Sequence, residues 1–290
     1  MFKKILKWTG IVFGSLVVLV LLLTVAVYFI TESRANKIYA VNIQQLAIPT
    51  DAASYALGEH IYSVRGCNDC HANGGKVFFD NANPIVFLTT SNLTNGKGGI
   101  NYSEKDWLRA LRHGVGKDGK ALWFMPVQHT SAGLSNKDLG ALICYLKTLA
   151  PVDTEHAKKS MKPLGRVLTF LGKFPMFPAE VVDHNAVYRE DVKPMVNKEY
   201  GQYMAIGCSG CHGPNYKGGE GKEPGQPYIP DITNTGRLAK WTSEQFITVL
   251  HTGKTPDGRT LTPYMPWQTM GKAHNEDELK AIYMYLHSLN

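Results

Sequence analysis

Two short runs in this chain, Cys67-Asn68-Asp69-Cys70-His71 and Cys208-Ser209-Gly210-Cys211-His212, share the spacing C-x-x-C-H. A Met-Pro pair follows each at nearly the same distance: Met125-Pro126, 54 residues beyond His71, and Met265-Pro266, 53 beyond His212. Thiols three positions apart sit on one side of a single helical turn, where they can add to the two vinyl groups of one porphyrin, and the adjoining imidazole then lies under the metal. This is the spacing that attaches c-type haem. The opposite iron face takes a soft, neutral donor from a distant part of the chain, and a thioether there favours the ferrous state and raises the potential. A lone C-x-x-C reads equally as half of a zinc site or a redox dithiol. Two copies, each with its own Met-Pro, select haem. The expected cofactors are therefore two covalently bound haems. Cys67, Cys70, His71 and Met125 would hold one and Cys208, Cys211, His212 and Met265 the other, with His71/Met125 and His212/Met265 as iron ligands. Iron ligated on both faces leaves no catalytic position, so an electron carrier is expected rather than an enzyme.

Self-similarity extends beyond the ligands, as it does in duplicated units. Asn92-Leu93-Thr94-Asn95 matches Asp231-Ile232-Thr233-Asn234 at an offset of 139, as do Leu111, Gly114, Asp118, Gly119 and Leu122 with Leu250, Gly253, Asp257, Gly258 and Leu261. Leu139, Ala141, Tyr145, Leu146 and Leu149 match Leu279, Ala281, Tyr285, Leu286 and Leu289 at 140. A tandem pair is predicted, each member within the size range of an independently folding domain.

Helical signals dominate both repeats. Ala53 to Val64 reads as a helix, with Gly58 allowing close approach of another element. Ser103-Glu104 and Ser243-Glu244 open helices closed by Gly114 and Gly253. Ser135 caps a terminal helix with the stripe Leu139, Leu142, Ile143, Leu146 and Leu149. Asn275 caps its counterpart, with Leu279, Ile282, Tyr283, Leu286 and Leu289 facing inward. No strand pattern of consequence is evident, so the predicted fold class is all-α.

Lys3, Lys4 and Lys7 precede an uncharged stretch from Trp8 to Thr31, of which Ile11 to Ile30 is 20 residues, enough to cross a hydrocarbon layer. A cleavable signal peptide has a shorter apolar core and an A-x-A-like site, which is not clear here, so a retained transmembrane helix is preferred. Lysines before it place the amino end in the cytoplasm and the bulk outside. The expected divisions are 1–10 cytoplasmic, 11–31 transmembrane, 32–50 tether, 51–152 first domain, 153–195 linker and 196–290 second domain.

The net charge of +7 is not spread over the chain. Residues 1–44 hold five Lys/Arg against one acid and 156–195 seven against four, while 45–155 balance at ten each and 196–290 at nine each. An excess confined to anchor and linker argues against a nucleic-acid surface. Within the linker, Leu164, Val167, Leu168 and Leu171 fall at i, i+3, i+4 and i+7, marking a short amphipathic helix ended by Pro175. The preferred expectation is a strap packed on the haem domains; a membrane-surface helix is the runner-up. Cys144, the cysteine outside the motifs, is expected to be a small buried hydrophobe. His129, four residues after Met125, offers bis-His ligation to the first haem, but the second repeat has no counterpart and Met is preferred.

At this point the residues resemble class I cytochromes c, over both repeats and about 200 of the 290 residues. More narrowly they are similar to the haem domains in multihaem cytochrome subunits of membrane-bound bacterial alcohol, aldehyde and sugar-acid dehydrogenases. That similarity is carried by the Asn92-Leu93-Thr94 and Asp231-Ile232-Thr233 elements, the run from Trp107 to Leu122, the Met-Pro pairs and the terminal run from Ala141 to Leu149. Those subunits typically have three haem domains, whereas this chain has two motifs. The resemblance implies ligation by His71/Met125 and His212/Met265 and passage of single electrons between a periplasmic donor or dehydrogenase and the respiratory chain. The implied partners are redox proteins, a dehydrogenase catalytic subunit, cytochrome or oxidase, with membrane lipid contacted through the N-terminal helix. The implied location is the bacterial inner membrane, single-pass, with haem domains outside. Alternatives are a dihaem subunit of a haem-copper oxidase and, less favoured, a dihaem peroxidase. The resemblance also puts the carbonyl that orients His71 at Pro84, with Pro224 a doubtful counterpart. Asn92, Thr94, Asp231 and Thr233 are candidates for hydrogen bonds near the propionates, and Tyr102 and Trp241 for the haem edge; the competing reading of each is an ordinary cap or core aromatic.

Overall fold

The computed structural model describes residues 2–221 and 226–290. Helix α1 (Phe2–Asn36) extends past the apolar stretch at both ends. It is long and apolar enough to cross a membrane, with mean hydropathy 2.8 and no buried residue in its most apolar window. Thr31 and Ala35, near its end, are its buried positions.

The chain continues through α2 (Ala52–Val64), α3 (Cys67–His71), α4 (Glu104–His113), α5 (Val127–Thr130) and α6 (Asn136–Lys147). After α7 (Pro163–Phe170) the same order returns as α8 (Lys198–Ala205), α9 (Ser209–His212), α10 (Ser243–Thr252), α11 (Trp267–Ala273) and α12 (Glu276–Leu286). Capping chemistry repeats with it. Ser103 with Asp106 and Thr242 with Gln245 close capping boxes on α4 and α10. Those helices end at Gly114 and Gly253 in left-handed backbone, φ 64° and 69°. The cap of α10 is Thr242, one residue before the expected Ser243.

Each terminal helix is crossed by the helix preceding a C-x-x-C-H motif, and a glycine sits at both crossings. A Cβ on Gly58 would lie 2.0 Å from the Ala141 carbonyl oxygen, and one on Gly201 would lie 1.9 Å from that of Ala281. Backbone therefore rests on backbone. Below these crossings Leu139, Leu142, Ile143, Leu279, Ile282 and Leu286 are buried in one continuous core that takes residues from both halves. Each such side chain contributes about 1.5–3 kcal/mol of transfer free energy.

The halves are also joined by a reciprocal polar contact. Two residues past each crossing glycine, a side chain reaches the carboxylate three positions after the cap of the other half's terminal helix. His60 Nε2 lies 2.6 Å from Glu278 Oε1, and the Tyr203 hydroxyl donates to Asp138. The Tyr200 hydroxyl adds a bond to Glu278 at 3.3 Å.

The Glu278 hydrogen bond raises the His60 pKa against an opposing desolvation. Burial works to raise the Glu278 pKa, but the His60 bond overrides it and holds the carboxyl low. The His60 contribution is therefore complete below about 6.5 and lost as pH rises through the raised value, while that of Glu278 is complete above about 4.5 and lost as pH falls through the lowered one. The thermal midpoint should fall on the alkaline side of this window, and His60→Gln should flatten that limb. An unchanged limb in the variant would show that the pair does not couple the halves.

The described fold is mostly helical rather than all-α. Val77–Phe79, Val86–Thr89 and Ser160–Met161 form strands β1, β2 and β3 of a small antiparallel sheet in the order β1-β2-β3. Val86 and Leu88 point into a second core with Val115, Met161, Met176 and Phe177. Runs of two to four residues carry too little alternation to read from sequence, and the third strand comes from the linker. The linker lies against the rest of the chain through β3 and again through its later part. The Met176 carbonyl accepts from Phe124 N–H at 2.7 Å, and the carbonyls of Arg189 and Glu190 accept from the first turn of α6 at 2.8 and 3.0 Å. The expected apolar stripe does not share this role: Leu164, Val167 and Leu171 are exposed.

Candidate functional site

Each C-x-x-C-H motif forms a short helix at the end of a crossing helix. In the first half Arg65 ends α2, Gly66 turns through φ 68°, and Cys67 begins α3. In the second, α8 runs through a 3₁₀ turn, Ile206–Cys208, into α9. Cys67 and Cys208 pack on the shared core, where burial pushes their thiols up to about 12 and about 11. Cys70 is partly exposed and Cys211 exposed, at the outer edge of each turn.

The imidazoles are held alike. His71 Nδ1 lies 2.9 Å from the Ser91 carbonyl oxygen, and His212 Nδ1 lies 2.9 Å from that of Pro230. A carbonyl can only accept, so Nδ1 carries the proton in both rings and Nε2 presents a lone pair. Burial further lowers the His71 pKa, with the Ser91 bond opposing. The orienting carbonyl is thus at Ser91, not Pro84; Pro224 lies outside the described residues. Ser91 and Pro230 stand 139 positions apart, the repeat offset itself, which is the signal that would have located them.

What fixes these carbonyls is the turn that follows. Asn92 Oδ1 accepts from Thr94 N–H at 3.0 Å and from its hydroxyl at 2.8 Å. Asp231 Oδ1 does the same with Thr233, at 2.7 Å for both. All four side chains take part in Asx turns that set the loop and hence the imidazole. Tyr102 packs edge-on against Trp107 at 5.3 Å, and the Trp241 carbonyl accepts from the Tyr283 hydroxyl at 2.6 Å, so both belong to the core's margin.

The Met-Pro pairs share one backbone device. Val127 N–H donates to the Met125 carbonyl and Trp267 N–H to that of Met265, each at 2.8 Å. Between them Pro126 has φ −82°, ψ 55° and Pro266 φ −79°, ψ 51°. These are inverse γ-turns, and proline's ring presets the φ they need. Each turn stops the chain and presents the preceding thioether against the core that also receives Cys67 and Cys208.

One contact was not legible in the sequence. His129 turns toward the other half: its Nδ1 lies 2.9 Å from the Ser209 hydroxyl, inside the second motif. Ser209 donates its own proton to the Ile206 carbonyl at 2.6 Å, so it accepts from His129. The loop carrying Met125 therefore lies on the turn carrying Cys208 and Cys211. Cys144 is buried, 7% exposed, in α6.

Paired thiols, an imidazole held through Nδ1 and a thioether suit a covalently attached haem c. Comparison with known proteins agrees. Residues 199–290 match the cytochrome c family, whose members carry covalently bound haem c. The chain is 25% identical over 267 residues to the fructose dehydrogenase cytochrome subunit of Gluconobacter japonicus, covering 83% of this chain and 54% of that protein. It is 30% identical over 182 residues to the gluconate 2-dehydrogenase cytochrome c subunit of Pantoea cypripedii, covering 58% and 40%. It is 23% identical over 275 residues to the cytochrome c subunit of the quinone-dependent alcohol dehydrogenase of Gluconobacter oxydans (strain 621H), covering 82% and 55%. The chain thus spans about half the length, or less, of these relatives. It carries a cytochrome c domain in its C-terminal third and is homologous to cytochrome c subunits of bacterial dehydrogenases.

Proposed function

We propose that this protein is a membrane-anchored dihaem cytochrome c that relays single electrons from a periplasmic dehydrogenase catalytic subunit to the respiratory chain. The observation that carries the reading is the duplication of the imidazole geometry, with Nδ1 bound to a carbonyl at repeat-equivalent positions in both halves. In this reading 51–152 and 196–290 are two tandem cytochrome c domains. Cys67, Cys70, His71 and Met125 would hold one haem, and Cys208, Cys211, His212 and Met265 the other. The haem, when bound, supplies a one-electron couple.

The rest is done by the chain. His71 with Met125 and His212 with Met265 would ligate the two irons, and the packing of both thioethers against the buried core would limit rearrangement when charge arrives. The His129–Ser209 bond and the reciprocal His60–Glu278 and Tyr203–Asp138 contacts hold the two ligand sets at a fixed separation. Helix α1, exposed along its apolar length, supports retention in the inner membrane with both domains outside. The partner is read from the three relatives named above, which are cytochrome subunits of dehydrogenases.

Two haems per chain are expected from a pyridine haemochrome titration against protein concentration, together with an intact mass above the polypeptide by two haem groups. A single haem would leave the second segment's match standing and remove the relay. Copurification from native membranes in mild detergent should recover a dehydrogenase catalytic subunit; recovery of a haem-copper core instead would select the oxidase alternative.

A further inference from the structure

We propose that α7 lies in the membrane–water interface as a second, in-plane contact with the lipid bilayer, a proposal that rests on reading α1 as the membrane anchor. The position of α7 along α1 is fixed by two arginines. The Arg166 guanidinium stands 4.2 Å over the Tyr28 ring and donates to the Thr31 hydroxyl and to Glu32, each at 2.9 Å. From the other side Arg34 donates to the Thr169 carbonyl at 2.8 Å and pairs with Glu180 at 2.6 Å. These contacts set α7 level with residues 28–34, where the apolar run of α1 gives way to Thr31, Glu32 and Arg34. Trp8 and Tyr28 are separated by a rise of about 30 Å at helical spacing, the thickness of a hydrocarbon layer. Aromatic side chains at both ends of such a span mark the headgroup levels. Helix α7 therefore stands at a headgroup level.

Its free face is apolar. Gly165 presses on the backbone of Ile85, where a Cβ would meet the carbonyl oxygen at 2.0 Å, and Thr169 is buried. With one side against Ile85 and another against α1, what remains outward is Leu164, Val167, Phe170 and Leu171, 46%, 42%, 45% and 57% exposed. Four large apolar side chains on two helical turns, beside an anchor, suit the boundary between headgroups and acyl chains. Lys173, exposed just past the helix, suits the phosphates above it. Continuity with α1 singles out lipid as the occupant rather than another protein. One spanning helix leaves the attached domains free to swing about its axis; a second contact in the plane removes that rotation and keeps one face of the relay toward the membrane.

The test uses the full chain with haem attached, in phosphatidylcholine–phosphatidylglycerol vesicles, with the photoreactive residue p-benzoylphenylalanine in place of Leu171. Parallel variants carry it in place of Val20, within α1, and in place of Val187, 97% exposed in the linker. After irradiation, intact mass should show lipid adducts at 171 and at 20 and none at 187. Adducts at 20 without adducts at 171, or adducts at 171 to a copurifying protein in place of lipid, would overturn the proposal and leave the anchor standing. Absence of adducts at 20 would overturn the anchor reading and this one together.

Discussion

Met265→Ala should leave haem covalently attached to the second segment while that iron becomes able to bind carbon monoxide and its midpoint potential falls by roughly 0.2 V, within the ~0.8 V span that axial ligation commands. In the proposed reading attachment depends on Cys208 and Cys211, which the substitution does not touch. The inverse γ-turn at Pro266 is a backbone structure and persists, since Trp267 N–H still donates to the carbonyl of residue 265. What is lost is the thioether alone. Alanine has no donor atom to offer the iron. Met125→Ala should act in the same way on the first segment, and independently. Carbon monoxide difference spectra and redox titration of each variant read this directly. An unchanged low-spin spectrum in either would show that the sixth ligand is another residue, and in the first segment would return attention to His129.

Gly201→Ala should lower the thermal midpoint by about 10 °C, the equivalent of about 3 kcal/mol in a chain of this size. The new Cβ would sit 1.9 Å from the Ala281 carbonyl oxygen, 2.5 Å from its carbon and 2.9 Å from Tyr285 Cβ. No flexible side chain can yield, because two of these three atoms are backbone in the middle of α12. Helix α8 must therefore move outward as a body. It carries the 3₁₀ turn with Cys208 at its end, so the displacement reaches the second C-x-x-C-H motif as well as the core. Gly58→Ala should behave similarly, its Cβ meeting Ala141 at 2.0 Å. Gly133→Ala, with nothing within 4 Å, is the control and should change the midpoint little. Circular dichroism melts of the three variants decide it. Equal melting of Gly201→Ala and Gly133→Ala would show that the crossing is looser than described.

Much of the helical frame was legible because its signals are local. Ser135 and Asn275 announce their helices through bonds to backbone N–H groups three residues on, and Gly114 and Gly253 end theirs by taking a backbone conformation other residues resist. The C-x-x-C-H and Met-Pro spacings are local in the same sense, since thiol spacing on a turn and proline's φ require no knowledge of the remainder. Gly58 was readable as a crossing point; Gly201, three positions into α8, was not singled out, although the contact is the same.

Nothing in the composition of Ser91 or Pro230 marks their carbonyls as acceptors for an imidazole, because every residue has a carbonyl and only the loop's path selects one. Similarly, His129 looked like a possible iron ligand by its distance from Met125, and the fold turned it toward Ser209. The apolar positions of α7 form a proper helical stripe, but which side of that stripe meets protein depends on Arg166 and Arg34 gripping across more than a hundred residues. Residue types and short spacings therefore determined the chemistry this chain can hold, that its motifs recur at a fixed offset, and that it contains a long apolar helix. Tertiary structure alone decided how the two halves lock together, which carbonyls orient the imidazoles, and which apolar face is left outward. Those choices rest on contacts between residues far apart in the chain, where geometry selects among chemically equivalent groups.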